Sequence, residues 1–138
     1  MKIWINIGRG KSAMIVLKLN KDFSMKKENT VNRKLRIPIL ISGRLVRDIW
    51  FDLKHIQYGW DKKRRDYNIG PARNSYSEED VIMIFEQLKH LEQDPRIQLT
   101  NLKDVEKRMI FYVYDEGKKL KMVVDFMKNS STVVVTIH

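Results

Sequence analysis

The sequence predicts an α+β fold in which two principal helices pack on an antiparallel sheet. Two stretches carry apolar residues at helical spacing, the second of them opens with a capping sequence, and the last third of the chain alternates as strands do. The 138 residues match the commonest size of a single domain. We therefore expect one domain over residues 1–138, with a C-terminal three-stranded meander and an N-terminal β-hairpin.

The N-terminal part, residues 1–41, is predicted to be a hairpin followed by a basic loop. Residues 2–7 alternate between apolar and polar, and residues 14–19 are mostly aliphatic, so these two segments are expected to pair as strands. Residues 20–34 are polar, rich in lysine and without periodicity, which indicates a loop. The remaining short segment predicts a strand, and Pro38 marks that strand as an edge or bulged one.

Residues 42–138 are expected to hold the helices and the antiparallel sheet. Ser42 is placed as the N-cap of a helix over about residues 44–56, with His55 in its last turn. The apolar face of this helix would consist of Leu45, Val46, Ile49, Trp50, Leu53 and Ile56.

The second predicted helix begins at Ser77, because this residue and the acidic residues after it form a sequence of the capping-box type. It runs to about residue 93, where Asp94 and Pro95 end it. Between the two helices, residues 58–74 form a loop that contains two glycines, a proline and five basic residues.

The last third of the chain predicts the meander, with strands over residues 108–114, 119–128 and 132–138 joined by short turns. Strict alternation divides the last strand into two faces. Its inward set would be Val133, Val135 and Ile137, and its outward set Thr132, Val134, Thr136 and His138.

Charge is the bulk property that bears most on function. The chain has 27 Lys and Arg against 17 Asp and Glu, a net charge of +10, and nucleic acid is the common partner of such an excess. The cationic residues group in four clusters, at residues 26–27, 33–36, 62–65 and 118–121. There is no cysteine, no signal-like segment and no apolar run long enough for a membrane span, so we expect a cytoplasmic protein without membrane contact.

Several kinds of chemistry lack the residues they need. His55, His90 and His138 show no paired zinc-ligand spacing, so no metal and no cofactor are expected. The sequence Gly10-Lys11-Ser12 lacks the earlier glycine and the following helix of a phosphate-binding loop, and is interpreted as a hairpin turn. A glycine-framed serine and a cysteine nucleophile are also missing.

The remaining chemistry is acid–base and electrostatic, which suits metal-independent cleavage of RNA. That reaction needs a base for the 2′-hydroxyl, cations for the charge on the phosphorane and an acid for the 5′-oxygen. His55 is the candidate base, and Arg64, Arg65 and Arg73 are candidates to hold the substrate. The alternative for His55 is a surface histidine that favours a helix C-terminus through the dipole.

Aromatic residues beside the basic clusters predict stacking on unpaired bases. The candidates are Tyr58 and Trp60 in the basic loop, and Tyr112 and Tyr114 on the first meander strand. Packing in the core or at its rim is the alternative for each of them. The predicted nucleic-acid contacts are completed by Lys62, Lys63, Lys118 and Lys119.

The layout resembles the superfamily of small metal-independent ribonuclease toxins that includes RelE-like toxins and the toxin tips of contact-dependent inhibition systems. The segments that carry the resemblance are DIWFDLKH at residues 48–55, a basic stretch ending in Arg73, SEEDV at residues 77–81, and the strands RMIFYVY, KMVV and TVVVTIH. The resemblance covers about residues 42–138. RelE-like proteins usually end the sheet with basic and aromatic residues, whereas the last strand here is mainly Val and Thr.

The resemblance implies an endoribonuclease that acts on mRNA or tRNA and is covered by an acidic antitoxin or immunity protein. Its implied catalytic candidates are His55, Arg64, Arg65, Arg73, Lys121 and Thr136. Two alternatives remain open, a basic nucleic-acid-binding protein without catalysis and an adaptor for an acidic protein partner.

Overall fold

The computed structural model describes residues 3–6, 12–15, 27–91 and 94–138. Its helices in these ranges are α1 (Leu53–Tyr58) and α2 (Glu78–Glu86), with single 3-10 turns at Lys27–Asn29 and Gln87–His90. Its strands are β1 (Ile3–Asn6), β2 (Ser12–Ile15), β3 (Thr30–Ile41), β4 (Arg44–Asp52), β5 (Trp60–Asp61), β6 (Asp66–Tyr67), β7 (Arg96–Gln98), β8 (Val105–Asp115), β9 (Lys118–Met127) and β10 (Thr132–Ile137).

Within the described residues, one mixed six-stranded sheet dominates the molecule, in the order β3-β4-β10-β9-β8-β7. Neighbouring strands in this sheet are antiparallel, with the exception of β4 and β10. These two strands run parallel, and Val133 pairs with Trp50 and Val134 with Phe51. The last strand of the chain therefore lies in the interior of the sheet, between β4 and β9.

The prediction of two principal helices packed on an antiparallel sheet is wrong. The described part of the chain is mostly a mixed sheet, and its two helices are short. The segment predicted as a helix over residues 44–56 is β4 followed by the six-residue α1. Ile49, Trp50 and Phe51 are all buried although they are consecutive, because β4 is covered on both of its faces. A strand buried on both faces places apolar residues at many spacings, so they also satisfy a helical period.

Ser42 is a turn residue rather than the N-cap that the sequence predicted. Ser42 and Gly43 both have positive φ, 49° and 82°, and they join β3 to β4 in a two-residue turn. Two consecutive positive φ values match the twist of a hairpin, which favours continued pairing over helix initiation.

The predicted helix at Ser77 is confirmed, with a shorter extent. The Ser77 hydroxyl accepts from the Asp80 amide at 3.1 Å, and the Asp80 carboxylate accepts from the Ser77 amide at 2.9 Å, which completes the capping box. The α-helix ends at Glu86 and continues as the 3-10 turn to His90. Its apolar stripe, Val81, Ile82, Ile84, Phe85 and Leu88, packs into the main core.

The main core fills the side of the sheet that faces α2, which we call the core face. The C-terminal meander β8–β9–β10 is confirmed and supplies most of its strand residues. The buried meander residues of the core face are Met109, Phe111, Val113, Leu120, Met122, Val124, Phe126, Val134 and Ile137.

The opposite side, the second face, holds a smaller apolar cluster and one buried ion pair. The cluster consists of Trp50, Val105, Ile110, Val123, Met127, Val133 and Val135. Beside it, the guanidinium of Arg108 donates to both oxygens of the fully buried Asp125 carboxylate, at 2.6 and 2.8 Å. Burial raises the pKa of Asp125, and the hydrogen bonds from Arg108 oppose this rise.

Strand β10 does not alternate strictly, so the predicted division of its residues is partly wrong. Val134 pairs with Val124 but Thr136 pairs with Val123, so β10 contains one extra residue. Thr132 and Val134 consequently point to the core face, and Val133 and Val135 to the second face. Beyond the extra residue, Ile137 returns to the core face, which leaves Thr136 and His138 on the second face.

The N-terminal hairpin is confirmed as the antiparallel pair β1–β2, but Ser12, the last residue of the predicted turn at residues 8–12, already belongs to β2. The rest of that turn and residues 16–19 of the predicted second strand lie outside the described residues. The loop predicted for residues 20–34 is wrong for its last part, because Thr30–Lys34 pairs in β3, and its first part, residues 20–26, also lies outside the described residues. The strand containing Pro38 is confirmed, since β3 is an edge strand whose register shifts between Lys34 and Ile39.

Candidate nucleic-acid interface

The C-terminal end of β10 places two polar side chains beside a lysine of β9. The amide and carbonyl of His138 pair with the carbonyl and amide of Lys121, at 3.0 and 2.7 Å. Leu120 and Met122 are buried on the core face, so Lys121 points to the second face, where Thr136 and His138 also lie. Three residues from two strands thus share one end of this face.

Arg73 joins this group from the loop that follows β6. Its Nη2 atom donates to the Thr136 hydroxyl at 3.0 Å and to the carbonyl oxygens of His55 and Ile56 at 3.3 and 3.2 Å. These carbonyls belong to α1, so the guanidinium satisfies acceptors at the helix C-terminus while it holds β10. Partial burial there lowers the pKa of Arg73.

The backbone conformation of Gly59 favours glycine where the loop approaches α1. Gly59 ends α1 with a φ of +82°, and a Cβ atom at this position would lie 2.7 Å from the Asn68 amide nitrogen and 3.1 Å from the Arg73 guanidinium carbon. Asn74 secures the same loop, because its side-chain amide donates to the carbonyls of Ile56 and Ile137 at 3.1 and 3.4 Å.

His138 has the chemistry of a base at neutral pH. Its Nδ1 atom lies 3.2 Å from the Thr136 hydroxyl, and the residue is exposed to solvent. Partial burial of the ring and the positive charges of Arg73 and Lys121 lower the pKa of His138. The imidazole is therefore mostly neutral at pH 7 and can accept a proton. We call Arg73, Lys121, Thr136 and His138 the polar corner.

His55, the predicted base, contributes to this region with its carbonyl and not with its ring. The residue is 5% exposed, its amide donates to the Asp52 carboxylate at 3.1 Å, and its ring stacks on Trp60 with centroids 5.9 Å apart. The histidine is thus buried, and the expectation that its ring stands beside a bound substrate gains no support from this packing.

A buried polar network holds the aromatic residues next to α1. Tyr67 donates a short hydrogen bond to the Asp52 carboxylate and accepts one from the Asn29 amide at 2.8 Å, while its ring meets the edge of Trp60. Burial and the Asp52 carboxylate raise the pKa of Tyr67, so its hydroxyl stays protonated. The Trp60 ring therefore packs against His55 and Tyr67, and Tyr58 is half-buried at the end of α1.

The predicted basic contacts Lys62, Lys63, Arg64 and Arg65 occupy the turn of the β5–β6 hairpin, and all four are exposed. Asp61 shapes this turn by accepting from the amides of Lys63 and Arg64 at 3.0 and 3.2 Å. The backbone amide of Asn68 donates to the Gly59 carbonyl at 3.1 Å and closes the base of the hairpin. This base adjoins the polar corner, because a Cβ atom at Gly59 would lie 3.1 Å from the Arg73 guanidinium. Arg64 and Arg65 therefore stand at the far end of a hairpin rooted beside Arg73.

Lys118 and Lys119, the other predicted contacts, lie at the start of β9 and are exposed. The structure thus unites Arg73, Lys121 and Thr136 from the predicted catalytic set. It places the His55 ring against Trp60, and Arg64 and Arg65 in the turn of the β5–β6 hairpin. Sequence analysis named His138 on the right face of the last strand but did not include it among the catalytic candidates. Its pairing with Lys121 has no local sequence signal, because it depends on the register of β9 with β10.

Compared with known proteins, the chain matches no family model, no curated protein and no solved structure. In the described ranges, His, Asp and Glu side chains form no group of three or more that is placed to hold a metal ion. The helices in those same ranges are too short or too polar to cross a membrane.

Proposed function

We propose that this protein binds RNA and cleaves it without a metal ion, with the polar corner as the reaction site. The observation that carries the proposal is the chain of contacts from Arg73 to Thr136 to His138, with Lys121 as the second cation beside the imidazole. A neutral imidazole next to two cations, of which Arg73 is held by hydrogen bonds, supplies both the base and the charge stabilisation that the reaction requires.

In the proposed reaction, the Nε2 atom of His138 removes the proton of the 2′-hydroxyl while the 2′-oxygen bonds to phosphorus. Arg73 and Lys121 stabilise the negative charge of the phosphorane, and the bond from phosphorus to the 5′-oxygen then breaks. Lys121 donates a proton to the leaving 5′-oxygen, and the proton on His138 returns to Lys121 through solvent. The products are a 2′,3′-cyclic phosphate and a free 5′-hydroxyl.

The distribution of charge supports a polyanionic substrate. The net charge is +10, and the four exposed cations of the β5–β6 turn extend from the base of the hairpin at the polar corner. This proposal includes the toxin-type role, action on cytoplasmic mRNA or tRNA, and an acidic antitoxin or immunity protein that covers the cations.

The test is incubation of the purified protein with total tRNA and a long mRNA in EDTA, followed by analysis of fragments and their end groups on a gel. We expect discrete fragments with 2′,3′-cyclic phosphate ends, and their loss in His138→Gln. Lys128→Gln is the control, because Lys128 is also exposed but follows the end of β9 that is far from Lys121. RNA that stays intact but shifts in mobility would contradict cleavage and support a binding protein.

A further inference from the structure

Two tyrosines of β8 extend the surface of the polar corner across the second face. Tyr112 pairs with Lys121 and Tyr114 pairs with Lys119 in the register of β8 and β9. Ile110 belongs to the second-face cluster, so alternation places Tyr112 and Tyr114 on this face as well. Because Lys121 also pairs with His138, three adjacent strands carry Tyr112, Lys121 and His138 side by side.

Both tyrosine rings are accessible. Tyr112 is 36% exposed and Tyr114 is 63% exposed, although Ile110 on the same strand face is buried. Strand β7 pairs only with Arg108–Ile110 of β8 in the part of the chain that the structure describes, so it stops before the tyrosines. A cleft of about 490 Å³ reaches both tyrosines at the edge of β8, and its opposite wall, which includes Leu91 and His90, comes from the core-face side.

We propose that Tyr112 and Tyr114 form a subsite on which unpaired bases of single-stranded RNA stack, next to the phosphate held at the polar corner. This inference rests on the proposed function and adds the substrate class to it. Exposed aromatic rings beside cations bind unpaired bases in this way, because every base has an apolar face for stacking and a phosphate nearby. The tyrosines of β8 are two strand spacings, about 10 Å, from β10, so neighbouring nucleotides reach both places.

Lys119 serves the same subsite. Its ammonium lies 4.7 Å from the centroid of the Tyr112 ring, and the residue is exposed. A cation–π contact at such an exposed position is weak, so a base can displace the ammonium. The lysine then becomes available for the phosphate of the nucleotide that stacks.

A duplex is a poor ligand for this surface, because its bases already stack on one another and expose only their edges in the grooves. Single-stranded RNA or the loop of a folded RNA has bases that are free to stack. The substrate class is therefore unpaired RNA.

The test compares two 2′-O-methylated single-stranded RNA oligonucleotides of equal length, one with its bases and one abasic, by fluorescence anisotropy at fixed salt. The modification blocks the 2′-oxygen, so binding is measured without cleavage. We expect the wild-type protein to bind the base-bearing oligonucleotide about tenfold more tightly or better, as one stacked base provides. Tyr112→Ala with Tyr114→Ala should bind both oligonucleotides with the affinity that the wild type has for the abasic one.

Two variants control the test. Tyr112→Phe with Tyr114→Phe keeps both rings and should keep the preference for bases, and Leu99→Ala, at a residue that is 95% exposed, should leave it unchanged. Wild-type protein that binds both oligonucleotides equally would overturn the stacking subsite and leave phosphate binding intact. Failure to bind either one would overturn the proposed function itself. An equal loss for both oligonucleotides in the alanine variant would also overturn the subsite.

Discussion

Arg73 shows how one side chain can support both folding and chemistry. Its guanidinium donates to two carbonyls of α1 and to the Thr136 hydroxyl, so the helix, the loop and β10 meet at one group. A lysine at this position would offer a single ammonium without the planar arrangement of donors. The same contacts also place the positive charge of Arg73 close enough to His138 to lower the pKa of its ring.

At the level of residues, the pKa of His138 should depend on its cationic neighbours. We expect it to lie below the ordinary histidine value of about 6.5 and to rise in Lys121→Gln, because one of the repelling charges is then removed. NMR titration of the His138 ring, assigned with His138→Gln, measures this. Lys128→Gln, at the residue that follows the far end of β9, should leave the titration of His138 unchanged. An unchanged pKa of His138 in Lys121→Gln would contradict the expectation.

The lowered pKa of His138 also makes the stability of the folded protein depend on pH. The unfolded chain binds a proton to His138 more readily than the folded protein does, so protonation favours unfolding. The contribution of His138 to the free energy of unfolding is therefore complete above about pH 6.5 and decreases as the pH falls toward the lowered pKa.

The Arg108–Asp125 pair should matter far more for stability than an exposed pair. Arg108→Met leaves a carboxylate of 0% exposure without its partner, and we expect the free energy of unfolding to fall by about 3 kcal/mol. Glu106→Gln removes the exposed pair with Arg44, and we expect a change below about 1 kcal/mol. Denaturant unfolding measures both values, and equal losses would contradict the assigned difference.

At the level of elements, α2 depends on its first turn. Ser77→Ala removes the hydroxyl that accepts from the Asp80 amide, and we expect a loss of about 1 kcal/mol in the free energy of unfolding. Ser77→Asp restores a side-chain acceptor and should recover most of it. A thermal or denaturant midpoint that stays the same in Ser77→Ala would show that the cap contributes nothing.

The elements that sequence analysis predicted correctly have local signals. The capping residues of α2 and the turns of the meander are adjacent in sequence to what they control, and both elements were found. The segment that became β4 has no such signal, because its burial comes from strands β3 and β10 and from side chains on both faces. The same limit explains why Asp52 and Tyr67, which are 15 residues apart, were not recognised as partners.

At the level of the whole molecule, the parallel pairing of β4 with β10 closes the fold. These strands are separated by most of the chain, and no residue in either one specifies the other. Sequence analysis therefore predicted the meander but not the mixed sheet that contains it. The polar corner depends on this closure, because Arg73 on the connecting loop meets Thr136 only after β10 has taken its place beside β4.

The charge of the whole molecule gives a separate prediction. If several cations contact phosphates, the RNA affinity should fall steeply and linearly on a logarithmic plot against salt concentration. Replacing Lys62, Lys63, Arg64 and Arg65 with glutamine should reduce the slope, because the hairpin turn that carries them is exposed. Anisotropy measurements from low to physiological salt test this. If the slope of RNA affinity against salt concentration is the same in the glutamine variant, the β5–β6 turn does not contact RNA phosphates.

The extra residue in β10 makes the length of the last strand as important as its composition. Val135 is the residue without a partner in the register with β9, so deleting it would let Thr136 follow Val134 in strict alternation and would leave Thr136, Ile137 and His138 on their present faces. Val135→Ile keeps the number of residues and leaves every later side chain on its present side. The polar corner should therefore survive the loss of Val135, whereas one residue inserted between Thr136 and Ile137 would turn Ile137 toward the second face and His138 toward the core face.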